Sequence, residues 1–304
     1  MHKFTYKLLI LAGLMFTIVS RSDSQDLTAP LYKNGEIPFA IPHTIKDSVE
    51  YEKDIIRKKH TIVEPSIEFF GLKKDGKIRP AFIFCPGGGY SILSYTYEGK
   101  IFAEWLATKD MVGIILNSRL PDDRLMINKS EVPLTDALNA IKYVRDHAVE
   151  LGIDPNKIGI MGFSAGGHLA ASASVMYTSN ENKPNAVALI YPVISMQDSV
   201  THNWSQTRLL GANATQAMKD RFSTHMHINT LSSPTFLIHS ADDKSVKYQN
   251  SLLYFEGLQK HQIPNCEMHI MPNGGHGYDM ALDKAGNLPQ WRNWFYGWVR
   301  ELGW

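Results

Sequence analysis

The sequence has little cysteine, no excess of charge and no long apolar run, and each of these shortages excludes a class of protein. Its 304 residues include two cysteines, Cys85 and Cys266, which are too few for a disulfide framework or a metal-binding cysteine cluster. The 31 Lys and Arg residues are balanced by 30 Asp and Glu residues, which gives a formal net charge of +1. Because no basic patch or run of like charge is present, we expect neither nucleic acid nor an anionic membrane surface as a partner.

The main apolar stretch is short and lies near the N-terminus. Residues 8–19 are apolar, lysines precede them and polar residues follow at once. This stretch is too short to span a bilayer, and with Ser22 and Ser24 after it the pattern is that of a secretory signal peptide. We therefore expect residues 1–24 to be cleaved off after Ser24, no stable membrane insertion, and a periplasmic or secreted mature protein. A membrane-anchoring helix is the alternative interpretation.

The compartment implied by a signal peptide would permit the two cysteines to form a disulfide. Cys85 ends one predicted strand, however, and Cys266 begins another strand far along the chain. We therefore expect two buried free thiols.

Short apolar runs alternate with helical patterns from about residue 81 onward. This alternation predicts an α/β fold with a doubly wound, mostly parallel sheet and helices on both faces. Residues 60–304 are expected to form this domain, and the polar residues 25–59 a lead segment on its surface. Residues 61–70 alternate like an antiparallel edge strand, and the polar residues 195–221 leave room only for a minimal cap. The buried strands are expected at residues 81–85, 111–116, 158–161, 186–190, 235–239 and 266–271.

A sharp turn with a serine at its apex follows one of these strands. The turn reads Gly162-Phe163-Ser164-Ala165-Gly166, and a helix of small residues begins directly after it. This is the G-x-S-x-G nucleophile elbow, in which a strained turn projects the serine hydroxyl clear of the sheet. The alternative is a glycine-rich turn between a strand and a helix that has no chemical role.

A second glycine-rich segment follows the strand at residues 81–85 and reads Pro86-Gly87-Gly88-Gly89-Tyr90. Without side chains in the way, backbone N–H groups there can donate to a ligand oxygen, which favours an oxyanion hole. A flexible loop or a phosphate cradle is the alternative. The segment is not a Walker loop, because no Gly-Lys-Ser/Thr follows it.

A nucleophilic serine needs a base and an acid that orients the base. His276 lies in a glycine-rich loop after the last predicted strand, and Asp242 and Asp243 follow the strand before it. Both positions are at carboxyl ends of strands, where open α/β sheets place their sites. We prefer Asp243 to Asp242 because the pattern D-x-x-V places its carboxylate at the loop tip, and Asp198 is a third candidate.

The other histidines and one buried-looking acid are interpreted as structural. His168 lies in the helix after the elbow and His239 inside a strand, so neither has the setting of a mobile base. Asp136 lies in the first turn of a predicted helix, where Asp is favoured by backbone and dipole effects. His225 and His227 lack a third ligand, so no metal site is expected.

With these motifs the sequence resembles the α/β-hydrolase carbohydrate esterases of the acetylxylan-esterase-like group, which are close to bacterial esterases of the hormone-sensitive-lipase type. The resemblance extends from about residue 60 to the end of the chain. Pro86 stands where the lipase-type motif has histidine, which is the form of the acetylxylan-esterase-like group. The matching segments are Pro86-Gly87-Gly88-Gly89-Tyr90, Tyr97-Glu98-Gly99, Gly162-Phe163-Ser164-Ala165-Gly166-Gly167-His168-Leu169, His239-Ser240-Ala241-Asp242-Asp243 and Gly274-Gly275-His276-Gly277-Tyr278.

The resemblance implies a serine esterase that needs no metal or cofactor. In it, Ser164 would attack an ester carbonyl, His276 would take its proton and Asp243 would orient the imidazole. The N–H groups of Gly88, Gly89 and Ala165 would receive the oxyanion.

The substrate expected from the resemblance is an acetylated oligosaccharide, xylan above all, or another short acyl ester. Tyr90, Tyr95 and Tyr97 lie near the glycine loop and could stack on sugar or belong to the core. Alternatives are a feruloyl esterase, another short-chain carboxylesterase or peptidase of the same fold, and a non-catalytic binding protein. The oligomeric state stays open.

Overall fold

The computed structural model describes residues 25–33 and 35–304, and its centre is an eight-stranded sheet. The predicted signal peptide, residues 1–24, lies outside the described residues. The strands are β1 Leu27–Pro30, β2 Ser48–Glu52, β3 Ile55–Thr61, β4 Ser66–Phe70, β5 Arg79–Cys85, β6 Val112–Asn117, β7 Ile153–Phe163, β8 Ala186–Ile190, β9 Thr235–Ser240 and β10 Glu267–Met271.

Helices connect these strands and cover both faces of the sheet. The α-helices are α1 Ile101–Ala107, α2 Val132–Asp146, α3 Ala148–Leu151, α4 Ser164–Val175, α5 Asn203–Leu210, α6 Gln216–Arg221, α7 Gln249–Lys260 and α8 Trp291–Glu301. A π-helical turn, Thr96–Lys100, precedes α1, and short 3-10 helices lie at Thr224–His227 and Leu288–Gln290.

The strand order explains why two distant segments of the chain meet. The order is β1-β4-β6-β5-β7-β8-β9-β10, and from β6 to β10 all neighbours are parallel. The chain passes from β5 to β6 on one side and then returns to β7 on the other side of β5. Ligands bind at such a switch point in open α/β sheets. The predicted α/β-hydrolase sheet is confirmed, and the segments after β5 and β7 lie side by side.

The lead segment contributes to the sheet. Strand β1 pairs antiparallel with β4 and forms the outer edge, so the prediction of an edge strand at residues 61–70 is wrong. The alternating pattern suggested one exposed face and a free edge. In the structure four of the five residues of β4 are buried, and the strand has β1 on one side and β6 on the other. Strands β2 and β3 form a separate antiparallel hairpin.

A buried ion pair ties the lead segment to the domain. The guanidinium of Arg119 donates two hydrogen bonds to the carboxylate of Asp136, at 2.6 and 3.0 Å. Tyr32 donates to the same carboxylate at 2.7 Å, and Arg119 also donates to the carbonyl of Pro38. Asp136 is therefore structural as predicted, but α2 begins at Val132 and has no acidic residue in its first turn, so the contacts of Asp136 and not the helix start account for its position. Its fully buried carboxylate, however, stabilises this contact with the lead segment.

The core has one layer on each face of the sheet. Helices α2, α4 and α7 cover one face, and α1 and α8 cover the other. The aromatic side chains of α8 belong to the second layer, with Trp291, Phe295 and Trp298 buried. Both cysteines are free, but only Cys85 is buried and Cys266 is half-buried.

No helix within the described residues is long and apolar enough to cross a membrane.

The turn between β7 and α4 is strained and closely packed. Ser164 has a φ of +52°, in the left-handed region that side chains rarely adopt. A Cβ on Gly162 would lie 2.1 Å from the carbonyl oxygen of Gly166. A Cβ on Gly166 would lie 2.0 Å from the carbonyl oxygen of Cys85. The glycines therefore let the elbow contact the backbone at the end of β5 directly.

This contact predicts a large loss of stability for Gly166→Ala. The new methyl group would meet backbone rather than a movable side chain, so we expect the free energy of unfolding to fall by more than about 4 kcal/mol. Chemical denaturation followed by circular dichroism measures this change.

The matched control is Gly297→Ala, because Gly297 is exposed in α8 and a Cβ there would meet nothing within 4 Å. We expect this variant to be stabilised by up to about 1 kcal/mol. Equal stability of the two variants would contradict the proposed close contact.

Candidate active site

Three side chains from three strand ends meet at the carboxyl edge of the sheet. Ser164 begins α4 directly after β7, Asp243 follows β9 and His276 follows β10. The His276 Nε2 atom lies 2.9 Å from Ser164 Oγ, and the His276 Nδ1 atom lies 2.6 Å from Asp243 Oδ2. The structure thus brings together the serine, the acid and the base that the sequence analysis singled out.

The loop after β9 holds the carboxylate of Asp243 as an acceptor. The backbone N–H groups of Ser245 and Val246 donate to its Oδ1 at 2.8 and 2.9 Å. Burial opposes ionisation, but the hydrogen bonds from His239 and His276 hold the pKa of Asp243 well below its usual range. Asp242 accepts instead from the N–H of Gly275, at 2.8 Å, and lies exposed. The geometry thus favours Asp243 as the partner of His276.

His239 is a part of this site that the sequence analysis missed. Its Nε2 atom lies 3.2 Å from Asp243 Oδ2 and 3.0 Å from the carbonyl oxygen of Val246. Because both neighbours are acceptors, Nε2 carries the proton, and Nδ1 accepts from the Ser251 hydroxyl at 2.8 Å. The imidazole is fully buried and donates to the same carboxylate oxygen as His276. A position inside a strand hid this role, since nothing in the pattern shows which neighbours a buried histidine meets.

The glycine loop after β5 lies beside Ser164. Gly88 and Gly89 have φ values of +131° and +63°, which turn the backbone away from regular structure. Among the described residues, the N–H groups of Gly88 and Gly89 have no hydrogen-bond acceptor. The N–H of Ala165 lies in the first turn of α4, where helices leave N–H groups unpaired. Three backbone donors are therefore available near the serine.

Glu98 is the second residue of the site that the sequence analysis left without a role. Its carboxyl is buried in the π-helical turn, where Oε2 accepts from the N–H of Gly87 at 2.8 Å and Oε1 from the hydroxyl of Tyr191 at 2.9 Å. It also lines the cavity that contains Ser164 and His276. Burial raises the pKa of Glu98, although these hydrogen bonds and His276 oppose the shift. Glu98 thus anchors the first glycine of the loop.

His168 links the glycine loop, the elbow helix and the segment after α6. Tyr90 donates to its Nδ1 at 2.7 Å, and its Nε2 donates to the carbonyl of Phe222 at 2.7 Å. Burial lowers the pKa of His168 to about 4, so the imidazole is neutral near neutral pH. The interpretation of His168 as structural agrees with these contacts.

The cleft above the serine has a volume of about 340 Å³ and a short cap. Its walls come from the glycine loop, the π-helical turn, the loops after β9 and β10, and the start of α5. The cap segment between β8 and β9 holds only α5, α6 and a 3-10 helix. The lining residues are Gly88, Gly89, Ile92, Ser94, Glu98, Ser164, His202, Trp204, Ser245 and His276.

Two of the three tyrosines considered for sugar stacking belong to the interior. Tyr90 and Tyr95 are each 5% exposed, and their hydroxyls are bonded to His168 and Glu68. Tyr97 is partly exposed but lines a separate depression beside the β2–β3 hairpin. The possibility that Tyr90 or Tyr95 stacks on sugar is therefore wrong, because both side chains turn inward.

Comparisons with known proteins agree with this fold. The model of the BD-FAE family matches residues 70–258. An acetylxylan esterase of Xylanibacter ruminicola is 36% identical over 68% of this chain and 44% of its own length. An endo-1,4-beta-xylanase B of Butyrivibrio fibrisolvens is 31% identical over 71% of this chain and 35% of its own length. The chain thus spans less than half the length of these curated relatives.

Solved structures extend the similarity to nearly the whole chain. An acetyl ester-xyloside bifunctional hydrolase from Caldicellulosiruptor lactoaceticus superposes with a TM-score of 0.77 and 31% identity, and covers 93% of this chain and 99% of that chain. A sugar hydrolase from Lactococcus lactis gives a TM-score of 0.67 and 25% identity, over 84% of this chain and 98% of that chain.

The environment of Glu98 predicts a pH-dependent gain of stability in Glu98→Gln. The folded protein raises the pKa of Glu98, so it favours the protonated form. Below the pKa of about 4.3 in the unfolded chain, the carboxyl is protonated in both the folded and the unfolded state, and its burial as an ionisable group does not lower the free energy of unfolding. This destabilisation grows as the pH rises from that value through the pKa of the folded state. The free energy of unfolding of Glu98→Gln, relative to wild type, should therefore rise as the pH rises above about 4.3.

Urea denaturation across this pH range measures the effect. Glu256→Gln is the matched control, because Glu256 is exposed on α7. A difference between Glu98→Gln and wild type that does not change with pH would contradict the raised pKa of Glu98.

Proposed function

The chain belongs to the BD-FAE family and is similar to acetylxylan esterases of the α/β-hydrolase fold, and we propose that it is a serine carboxylic ester hydrolase that removes acetyl groups from xylan or related oligosaccharides. The observation that carries the proposal is the chain of contacts from Ser164 through His276 to Asp243. The similarity to the acetylxylan esterase and the acetyl ester-xyloside hydrolase supports an acetylated sugar as the substrate.

The first half of the reaction forms an acyl-enzyme. His276 Nδ1 faces a carboxylate and therefore carries a proton, which leaves Nε2 free to accept the proton of the Ser164 hydroxyl. As that proton moves to Nε2, Ser164 Oγ bonds to the acetyl carbonyl carbon. His276 then gives the proton to the departing sugar oxygen, and the acetyl group stays on Ser164.

The second half releases acetate. A water molecule gives a proton to His276 Nε2 and attacks the acyl carbon, and His276 returns the proton to Ser164 Oγ as the bond to acetate breaks. Asp243, with its low pKa, stays ionised and stabilises the imidazolium in both halves. Its second histidine contact, with His239, keeps the carboxylate in place.

The oxyanion of each tetrahedral intermediate lies in reach of the glycine loop. The N–H groups of Gly88, Gly89 and Ala165 are the proposed donors, each typically worth ~10²–10³ in rate. The carboxylate of Glu98 fixes the loop by accepting a hydrogen bond from the N–H of Gly87. The donors are thus fixed before the substrate arrives, which is the condition for effective stabilisation of developing charge.

A comparison of substrates tests the proposal. Acetylated xylo-oligosaccharides, a short acyl-phenyl ester and a feruloylated sugar should be offered to the purified protein, with acetate, phenol and ferulate release as readouts. We expect acetate release from the first and phenol release from the second, and both should fall by about 10³-fold or more in Ser164→Ala. Feruloyl release without acetate release would replace the proposed substrate, and full activity of Ser164→Ala would contradict the mechanism.

The adjacent pair Asp242 and Asp243 provides a matched test of the acid. Asp243→Asn keeps the shape of the side chain but loses the charge that His276 faces, so kcat should fall by roughly 10³–10⁴-fold. Asp242→Asn should cost far less, because within the described part of the chain Asp242 accepts a hydrogen bond from the N–H of Gly275 and has none with His276. Steady-state kinetics on the acyl-phenyl ester measures both variants, and the reverse ranking would overturn the assignment.

A further inference from the structure

The cleft contains one exposed tryptophan that the proposed chemistry does not use. Trp204 lies in the first turn of α5 and lines the same cavity as Ser164 and His276. Its side chain is 58% exposed, in contrast to Tyr90 and Tyr95. An aromatic ring left in water beside a nucleophile is available to a ligand, since tryptophan offers a large apolar surface for contact.

The indole ring of Trp204 is held in one orientation. Its Nε1–H donates to the hydroxyl of Ser91 at 2.8 Å, across 113 residues of sequence. Its Cδ1 atom lies so close to the glycine loop that a Cβ on Gly89 would be only 2.6 Å away. The ring is thus fixed from one edge by Ser91 and Gly89 while much of its surface stays open. Such a ring requires little ordering when a ligand binds.

We propose that Trp204 is the platform on which a sugar ring of the substrate stacks while the acetyl group lies at Ser164. This inference rests on the proposed function. A pyranose ring presents apolar C–H groups on its faces and hydroxyls at its edge, so it needs an aromatic surface with polar groups around it. Ser94, His202 and Ser245 line the same cavity and supply such groups.

The surroundings of Trp204 favour a sugar over an acyl chain or a protein partner. The neighbouring residues Asn203, Gln206 and Thr207 are polar and at least partly exposed. Protein-docking surfaces are expected as larger contiguous apolar patches, whereas here a single aromatic ring lies among polar groups. A long acyl chain would need more apolar wall than this ring and Ile92 provide.

The test separates sugar binding from the integrity of the glycine loop. Wild type and Trp204→Ala should be compared on acetylated xylo-oligosaccharides and on a short acyl-phenyl ester that has no sugar. The quantity compared is the ratio of kcat/KM for the oligosaccharide to kcat/KM for the phenyl ester. Any disturbance of Gly89 affects both substrates and therefore cancels in this ratio. We expect this ratio to fall by about tenfold, mainly through KM of the oligosaccharide.

Three further variants sharpen the test. Trp204→Phe and Ser91→Ala both lose the indole hydrogen bond but keep an aromatic face, so each should keep most of the ratio. Leu231→Ala is the control for an exposed apolar side chain, because Leu231 lies outside the cleft before β9, and its ratio should equal that of wild type. An unchanged ratio in Trp204→Ala would overturn the stacking site, whether both activities are kept or both fall by the same factor. It would leave the proposed esterase activity intact.

Binding is measured without turnover in Ser164→Ala. We expect acetylated xylo-oligosaccharide to bind this variant by calorimetry, and about tenfold more weakly when Trp204→Ala is added. No binding to Ser164→Ala, or equal binding with and without the indole, would overturn the stacking site. Failure of the wild type to release acetate from the oligosaccharide would instead overturn the proposed function.

Discussion

The direct contact between the backbones at the ends of β5 and β7 is the constraint on which the site depends. Cys85 and Gly162 are neighbours in the sheet, and the carbonyl of Cys85 lies where a side chain on Gly166 would have to be. Because no side chain separates the two turns, Ser164 lies directly beside the glycine loop. Strain at Ser164 is tolerated since the surrounding backbone leaves it no other conformation.

Buried polar groups around Ser164, Asp243 and His276 hold this arrangement. Glu98 fixes the glycine loop through Gly87, His239 fixes the carboxylate of Asp243, and His168 links the loop to the elbow helix. Each is fully or nearly fully buried with its hydrogen bonds satisfied, which is the condition under which buried polar groups favour a single arrangement. The site therefore depends on a larger set of residues than Ser164, Asp243 and His276.

Local patterns predicted the sheet and the three side chains that meet at its edge, whereas long-range contacts escaped prediction. The buried strands were legible as apolar runs, and the order of Ser164, Asp243 and His276 follows from the elbow and the strand ends. Glu98 meets Tyr191 across 93 residues, and no periodicity reports such a contact. The edge strand β1 was missed because four residues ending in proline carry almost no strand signal. Trp204 lies in a polar stretch for which the sequence pattern predicted neither a helix nor a strand.

The pairing of β1 with β4 also determines where the domain begins. Composition suggested a boundary at residue 60, and the family match begins at residue 70. A chain that started at residue 60 would lack Leu27–Pro30 and Tyr32, and β4 would become an open edge with unpaired N–H and C=O groups. Asp136 would also lose the tyrosine that donates to it in the interior. The N-terminal segment, which contributes none of the proposed site residues, thus protects the sheet from pairing with other chains.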